Sequence, residues 1–180
     1  MESGLYAARL MNVFKRSTAV AMSAASDMVN GWSGGLIQAS RHGVFVTPTY
    51  LVNRLYNQHL GTDRLTSTIE SPTFDSSREG KNMPYLDTVV SRTLDGRQIF
   101  IKVVNADSDH SLRTTIRLTG ATIAIQGTME VVNADSATSA NSFSNLDAIT
   151  IRKKTINAGS NFEVEFPEHS VSVIALNVGQ

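Results

Sequence analysis

Leu86-Asp87-Thr88-Val89-Val90-Ser91-Arg92-Thr93-Leu94, then Asp95-Gly96, then Arg97-Gln98-Ile99-Phe100-Ile101-Lys102-Val103-Val104-Asn105 is the stretch that decides the fold. Asp-Gly between two β-branched runs is a strong hairpin signal, because both residues tolerate the positive φ of a tight turn. In the returning run Ile99, Ile101 and Val103 alternate with Phe100, Lys102 and Val104, the two-residue period of a strand.

Downstream, the same grammar repeats. Asp107-Ser108-Asp109 reads as a turn. Leu112–Leu118 and Ala121–Ile125 read as strands separated by Gly120, and Thr128–Asn133 as another. A polar loop at Ala134–Asn145 precedes Ile149–Thr155, Asn161–Phe166 and Ser170–Val178. Short strands with turns every 8–12 residues or so predict an antiparallel β-sandwich, jelly-roll-like, over residues 85–180.

Upstream, the composition changes. Residues 62–84 are polar and carry Ser71-Pro72, Asp75-Ser76-Ser77 and Glu79-Gly80-Lys81-Asn82, which predicts a linker with room for one edge strand. Residues 1–61 are alanine-rich and hold the only tryptophan. Leu5, Ala8, Leu10, Met11, Val13 and Phe14 include i, i+3 pairs, and Lys15 and Arg16 suit a helix C-terminus, predicting a helix over about Ser3–Arg16. Ala19–Ala24 reads as a buried strand of small residues, and Asn30–Gly35 as a loop. Thr47-Pro48 reads as cap and first turn of a second helix carrying Tyr50, Val52, Leu55, Tyr56 and His59, with Gly61 as its stop. The expected class is mainly β, a sandwich preceded by a small helical segment.

The chain has 180 residues, 41% hydrophobic and 18% charged, with 16 basic and 16 acidic side chains. That length allows a substantial core, and the balance argues against wholesale disorder. Zero net charge lacks the electrostatic footprint of a general nucleic-acid binder. No apolar run approaches the ~20 residues needed to cross a bilayer. Cysteine is absent, which removes disulfides, thiolate metal sites and cysteine nucleophiles. No cofactor motif is present, and the compartment is not legible.

Chemistry-bearing residues are sparse. His42, His59, His110 and His169 show no metal-ligand spacing. His59 reads as a partner of its helix C-terminus. Asp107, Asp109 and His110 read as turn chemistry, with a cation as the alternative. A glycosidase needs two carboxylates roughly 5–10 Å apart. Before residue 62 the only acids are Glu2 and Asp27, and Glu163 and Glu165 alternate with apolar residues on what should be a solvated strand face. Trp32 could stack on a sugar ring or plug a pocket beside the strand.

Taken in order, several segments resemble the C-terminal third of the family 51 α-L-arabinofuranosidases, in which a (β/α)8 barrel precedes a jelly-roll sandwich. Gly4-Leu5-Tyr6-Ala7-Ala8-Arg9-Leu10-Met11-Asn12 is similar to the helix before the last barrel strand, Ala21-Met22-Ser23 through Met28-Val29-Asn30 to that strand and its exit, and Val46–Tyr56 to the final barrel helix. Leu86-Asp87 through Asn105, Asn141-Ser142-Phe143 with Asn145 and Ile149, and Phe166 through Val173 resemble the sandwich. On this resemblance residues 1–61 are the end of the barrel.

The resemblance implies a hemicellulose-degrading hydrolase with a retaining two-glutamate mechanism, acting on arabinose-containing polysaccharide or oligosaccharide. The family's two glutamates lie upstream of the helix with which this chain begins, so no catalytic residue is assigned here. Trp32, Gln38 and Thr47 are the nearest substrate-binding candidates, on the loop after the last barrel strand. Three readings stand: a C-terminal portion of an arabinofuranosidase, a noncatalytic carbohydrate-binding sandwich, and a small glycoside hydrolase with its own carboxylate pair. No metal, nucleic acid or membrane is expected as a partner. Because a lone barrel strand leaves unpaired edges, residues 1–61 are expected either to repack as helices on the sandwich or to pair with a second copy.

Overall fold

The computed structural model describes residues 1–31, 35–77 and 80–179. In chain order it contains helix α1 (Glu2–Arg16), strands β1 (Ile37–Ser40) and β2 (Gly43–Val46), helix α2 (Pro48–Gln58), then β3 (Asp63–Leu65), β4 (Thr73–Ser76), β5 (Gly80–Pro84), β6 (Leu86–Arg92), β7 (Gln98–Asn105), β8 (Leu112–Arg117), β9 (Ile123–Val132), β10 (Ile151–Asn157), β11 (Asn161–Phe166) and β12 (Ser170–Val178).

One six-stranded antiparallel sheet, ordered β10-β9-β12-β7-β6-β3, organises the molecule. The β6–β7 hairpin is present as expected, with Leu86 opposite Asn105 and Arg92 opposite Ile99. Its turn is wider than a two-residue Asp-Gly link. Gly96 takes φ +71°, while the Thr93 hydroxyl accepts from the Gln98 amide and donates to Asp95.

The inner strands β7, β9 and β12 have side chains buried on both faces, which explains why their sequences are apolar at both parities rather than strictly alternating. On one face Ile99, Ile101, Val103, Met129, Val131, Ile174 and Leu176 meet Phe162, Val164 and Phe166 of β11, with Leu112 and Ile116 of β8 packed beside them. β8 and β11 form the facing two-stranded sheet, completing the sandwich. Glu163 and Glu165 lie on its exposed side, as the alternation predicts. On the opposite face Val104, Val132, Val171 and Val173 meet Ala8, Leu51, Val52, Leu55 and Tyr56 of the two helices. The result is three layers: helices, large sheet, small sheet.

Several expectations change. Ala19–Ala24 is not a strand; residues 18–30 run over the surface without burial. The two runs Ala121–Ile125 and Thr128–Asn133 are one strand, β9, because Gly127 continues pairing with Leu176 across the gap. The region 62–84 holds one short edge strand, β3 on β6, and a separate β4–β5 hairpin. Residues 37–46 form a hairpin, Ile37 opposite Val46, that the sequence did not announce.

In α1 the buried face is Gly4, Ala8 and Asn12, not the larger apolar residues. A Cβ at Gly4 would sit 3.1 Å from Pro48 Cβ, so small residues let α1 close onto the start of α2. Leu10 and Val13 are thereby turned outward, with Tyr6. Gly61 is likewise a close-approach residue rather than a left-handed helix stop. A Cβ there would lie 2.4 Å from Ser91 Oγ and 2.9 Å from the Arg92 amide nitrogen. Gly61→Ala is expected to destabilise the fold by ~1–3 kcal/mol through overpacking against β6, read as a lower urea midpoint at unchanged slope.

Candidate functional site

The helical layer is held by a chain of buried polar groups. Lys102 sits on the helix-facing side of β7, fully buried, where Val104 and the rest of that face meet α2. Its Nζ donates to the Tyr56 carbonyl oxygen at 3.2 Å and lies 4.7 Å from the centroid of the Tyr56 ring. The Tyr56 hydroxyl donates to Asn12 Oδ1 at 3.0 Å, and Asn12 Nδ2 donates to Asp87 Oδ2 at 2.9 Å. Arg16 Nη1 reaches Asp87 Oδ1 at 2.6 Å and the Thr88 carbonyl oxygen at 2.9 Å. One chain of contacts thus ties β7 to α2, α2 to α1, and α1 to β6. Burial holds the Tyr56 hydroxyl far above the usual phenol range, so it acts as a neutral donor.

Replacing Asn12 by Leu keeps the volume but strands the Tyr56 hydroxyl and one Asp87 oxygen; the expected loss is ~1–3 kcal/mol by chemical denaturation.

Lys102 offers a pH test of the same chain. Burial, with the like charge of Lys15 adding to it, pushes the Lys102 ammonium down to about 7. Above that pH the folded chain holds a neutral amine, while the unfolded chain keeps the proton up to about pH 10. The unfolded state therefore binds more protons in this window. Stability rises with pH between about 7 and about 10, by at most ~1.4 kcal/mol per unit from this group. Relative to Lys102→Met, the native chain is expected to gain ~1–2 kcal/mol between about pH 7 and about pH 9. Identical pH slopes for the two proteins would contradict the assignment.

Outside this layer lies the region named by the sequence. Met28, Val29 and Asn30 are pinned to the β1 strand: Val29 bridges Ile37 in parallel, and the Asn30 carboxamide donates to Ala39 O (2.9 Å) and accepts from Ala39 N (2.7 Å). Asn30 has φ +50°, a conformation asparagine tolerates better than most residues. This pinning role was not legible as such, although Asn30 stood at the loop entry in the sequence reading.

Of the three binding candidates, Trp32 lies outside the described residues. Thr47 is the N-cap of α2. Its hydroxyl accepts from Tyr50 N (3.4 Å) and donates to Leu36 O (3.2 Å), so both hydrogen-bonding roles are occupied. Gln38 is on β1, and its Nε2 is buried beside Gly35 without a partner among the described residues. The structure brings Gln38 and Thr47 onto one small hairpin-and-cap unit.

The histidines and acids are engaged locally. His59 Nδ1 contacts Leu55 O at 2.9 Å near the end of α2, and its Nε2 lies 3.8 Å from Glu130, itself paired with Lys153 at 3.1 Å. Asp107 Oδ1 accepts the amides of Asp109 and His110 and contacts the His110 ring at 3.2 Å, the turn chemistry expected of that segment. Backbone hydrogen bonds from Asp109 and His110 and the His110 side chain hold the Asp107 carboxyl below its usual range, outweighing burial, the largest influence and an opposing one. Among the described residues no three His, Asp or Glu side chains converge as a metal site.

The sequence profile of the α-L-arabinofuranosidase C-terminal domain matches residues 1–170. The chain belongs to that family. Among solved structures it is similar to the α-L-arabinofuranosidase from Thermotoga maritima in its arabinose complex, at 27% identity and a TM-score of 0.87, covering 97% of this chain and 38% of that one. The family 51 enzyme from Thermotoga petrophila RKU-1 gives 26% identity and a TM-score of 0.85, covering 96% and 37%. A Bifidobacterium longum family 51 enzyme shares the fold, with 20% identity and a TM-score of 0.82. The chain thus spans well under half the length of these relatives. No curated protein matches it. The three-layer fold is therefore that of an arabinofuranosidase C-terminal domain, with the helices as an integral layer of it.

Proposed function

We propose that this chain is the supporting C-terminal part of an enzyme that releases α-L-arabinofuranosyl groups from arabinose-containing polysaccharide or oligosaccharide. In this reading the retaining pair of glutamates is supplied by a catalytic portion outside these 180 residues. The observation that carries it is the apolar face on the outside of the helical layer. Tyr6, Leu10 and Val13 form an i, i+4, i+7 stripe on α1, and Val20, Met22, Met28 and Val29 are exposed along the segment after α1. Met22 is 86% exposed and Tyr6 70%. Residues 19–24 have the composition of a barrel strand but pair with no strand among the described residues. Several large apolar side chains left exposed on neighbouring stretches of chain suit a surface that another body covers. A barrel's remaining strands and helices would cover it and would pair residues 19–24.

Within this reading Gln38 and Trp32 remain the substrate-facing candidates, and the buried Gln38 Nε2 has no partner among the described residues. Residues 85–180 serve as the bracing sandwich and residues 1–61 as the barrel's closing units, joined by 62–84. A second copy of the chain is a competing occupant of the same apolar face.

Two measurements test the proposal. The chain alone is expected to give no turnover of p-nitrophenyl α-L-arabinofuranoside above the buffer rate; turnover abolished by a single Asp or Glu substitution would overturn it. Leu10→Asp with Val13→Asp should leave the melting of the isolated chain within a few degrees, since both side chains face outward. In an enzyme carrying the catalytic portion, the same pair is expected to lower activity at least about tenfold by unseating the barrel.

A further inference from the structure

The turn Pro167-Glu168-His169-Ser170 leads into β12, and His169 is its buried residue, 3% exposed. Its backbone has φ +36°, unusual for a side chain bearing a Cβ, and its amide donates to Asp107 O at 2.7 Å. The strained turn drives the imidazole between two other segments. Nδ1 lies 3.0 Å from Ser108 O, on the β7–β8 loop, and Nε2 lies 2.7 Å from Ala134 O, where the long β9–β10 connection begins. Both partners are backbone carbonyl oxygens, which only accept. A neutral imidazole has one N–H and one lone pair, so it satisfies one carbonyl and turns a lone pair toward the other. The imidazolium donates to both.

We propose that His169 is a two-proton clasp: as imidazolium it ties the β7–β8 loop and the β9–β10 connection to the turn before β12, and loss of one ring proton to solvent frees one carbonyl. The clasp reaches the helical layer. Three residues beyond Ala134, the Ala137 carbonyl accepts the Glu2 amide at 3.0 Å. Asn141 then donates to Val46 O at 2.9 Å, just before α2. Releasing Ala134 therefore loosens the seat of both helix starts. The titratable groups on the surrounding elements are Asp107, Asp109 and His110 on the β7–β8 loop, Asp135 on the β9–β10 connection, and Glu168 in the turn itself. The Asp107 carboxylate already takes two amides and the His110 ring, so it reinforces the loop that His169 grips.

The test is ring-nitrogen NMR on the histidine-labelled chain from about pH 5 to about pH 9, with amide spectra recorded alongside. His169→Gln assigns its signals and serves as the second variant. Two protonated ring nitrogens whenever the amides of Asp107–Ser111 and Ala134–Ala137 hold their native shifts support the clasp, as does a ring deprotonation that moves either set. One bare ring nitrogen while both sets stay native overturns it. His169→Gln can reach only one carbonyl at a time. It is expected to speed hydrogen exchange at the Glu2 amide at least about tenfold relative to the native chain at low pH. Unchanged exchange in a folded His169→Gln overturns the link to the helices.

Discussion

The whole structure depends on the central strands being dry on both sides. β7, β9 and β12 carry apolar side chains at successive positions, so the six-stranded sheet needs two coats. β8 and β11 supply one and the pair of helices supplies the other. Neither coat is optional: removing either would expose Val104, Val132 and Val171, or Ile101, Met129 and Ile174. A sheet with one wet face would read as alternating polar and apolar residues, and these strands do not. The helical segment for this reason shares a core with the sandwich.

A polar thread runs through the second coat. Burying a lysine, a tyrosine hydroxyl and an asparagine under two helices costs desolvation, and it is tolerated because each group finds a partner in the next, ending at the half-buried Asp87: Lys102 to Tyr56, Tyr56 to Asn12, Asn12 to Asp87, Asp87 to Arg16. Such a thread is directional in a way that apolar contact is not. It specifies how α1 lies across α2 and β6, and so where the outward stripe of Tyr6, Leu10 and Val13 points. The surface assigned to the catalytic portion is set by groups buried beneath it.

The sandwich strands were readable from period and turn chemistry, because both are local. The exposure of Glu163 and Glu165 and the capping by Thr47 followed the same way, each from residues within one turn or one strand. The inner face of α1 was not readable. The apolar set Leu5, Ala8, Leu10, Met11, Val13 and Phe14 contained Ala8, but the face that packs inward joins it to Gly4 and Asn12 and leaves Leu10 and Val13 outward, because Gly4 closes onto Pro48, more than forty positions away. Ala19–Ala24 failed for the complementary reason. Its small apolar residues fit a strand, but a strand needs neighbours, and it pairs with no strand among the described residues. Of the candidate binding residues, Thr47 turned out to be occupied by its cap and Gln38 to hold a buried donor with no partner among the described residues, a distinction that no spacing encodes.

By itself the sequence determined the sandwich, its β6–β7 hairpin and the two helices, since these rest on propensity, period two or 3.6, and turn residues, all local quantities, while the order of its segments carried the family resemblance. Only the tertiary structure decided which helix face is buried, that Lys102 lies under Tyr56, and that His169 stands between two carbonyl oxygens. Those are meetings between residues distant in the chain, and burial, which turns a polar side chain into a partner that must be satisfied, exists only once the layers have closed.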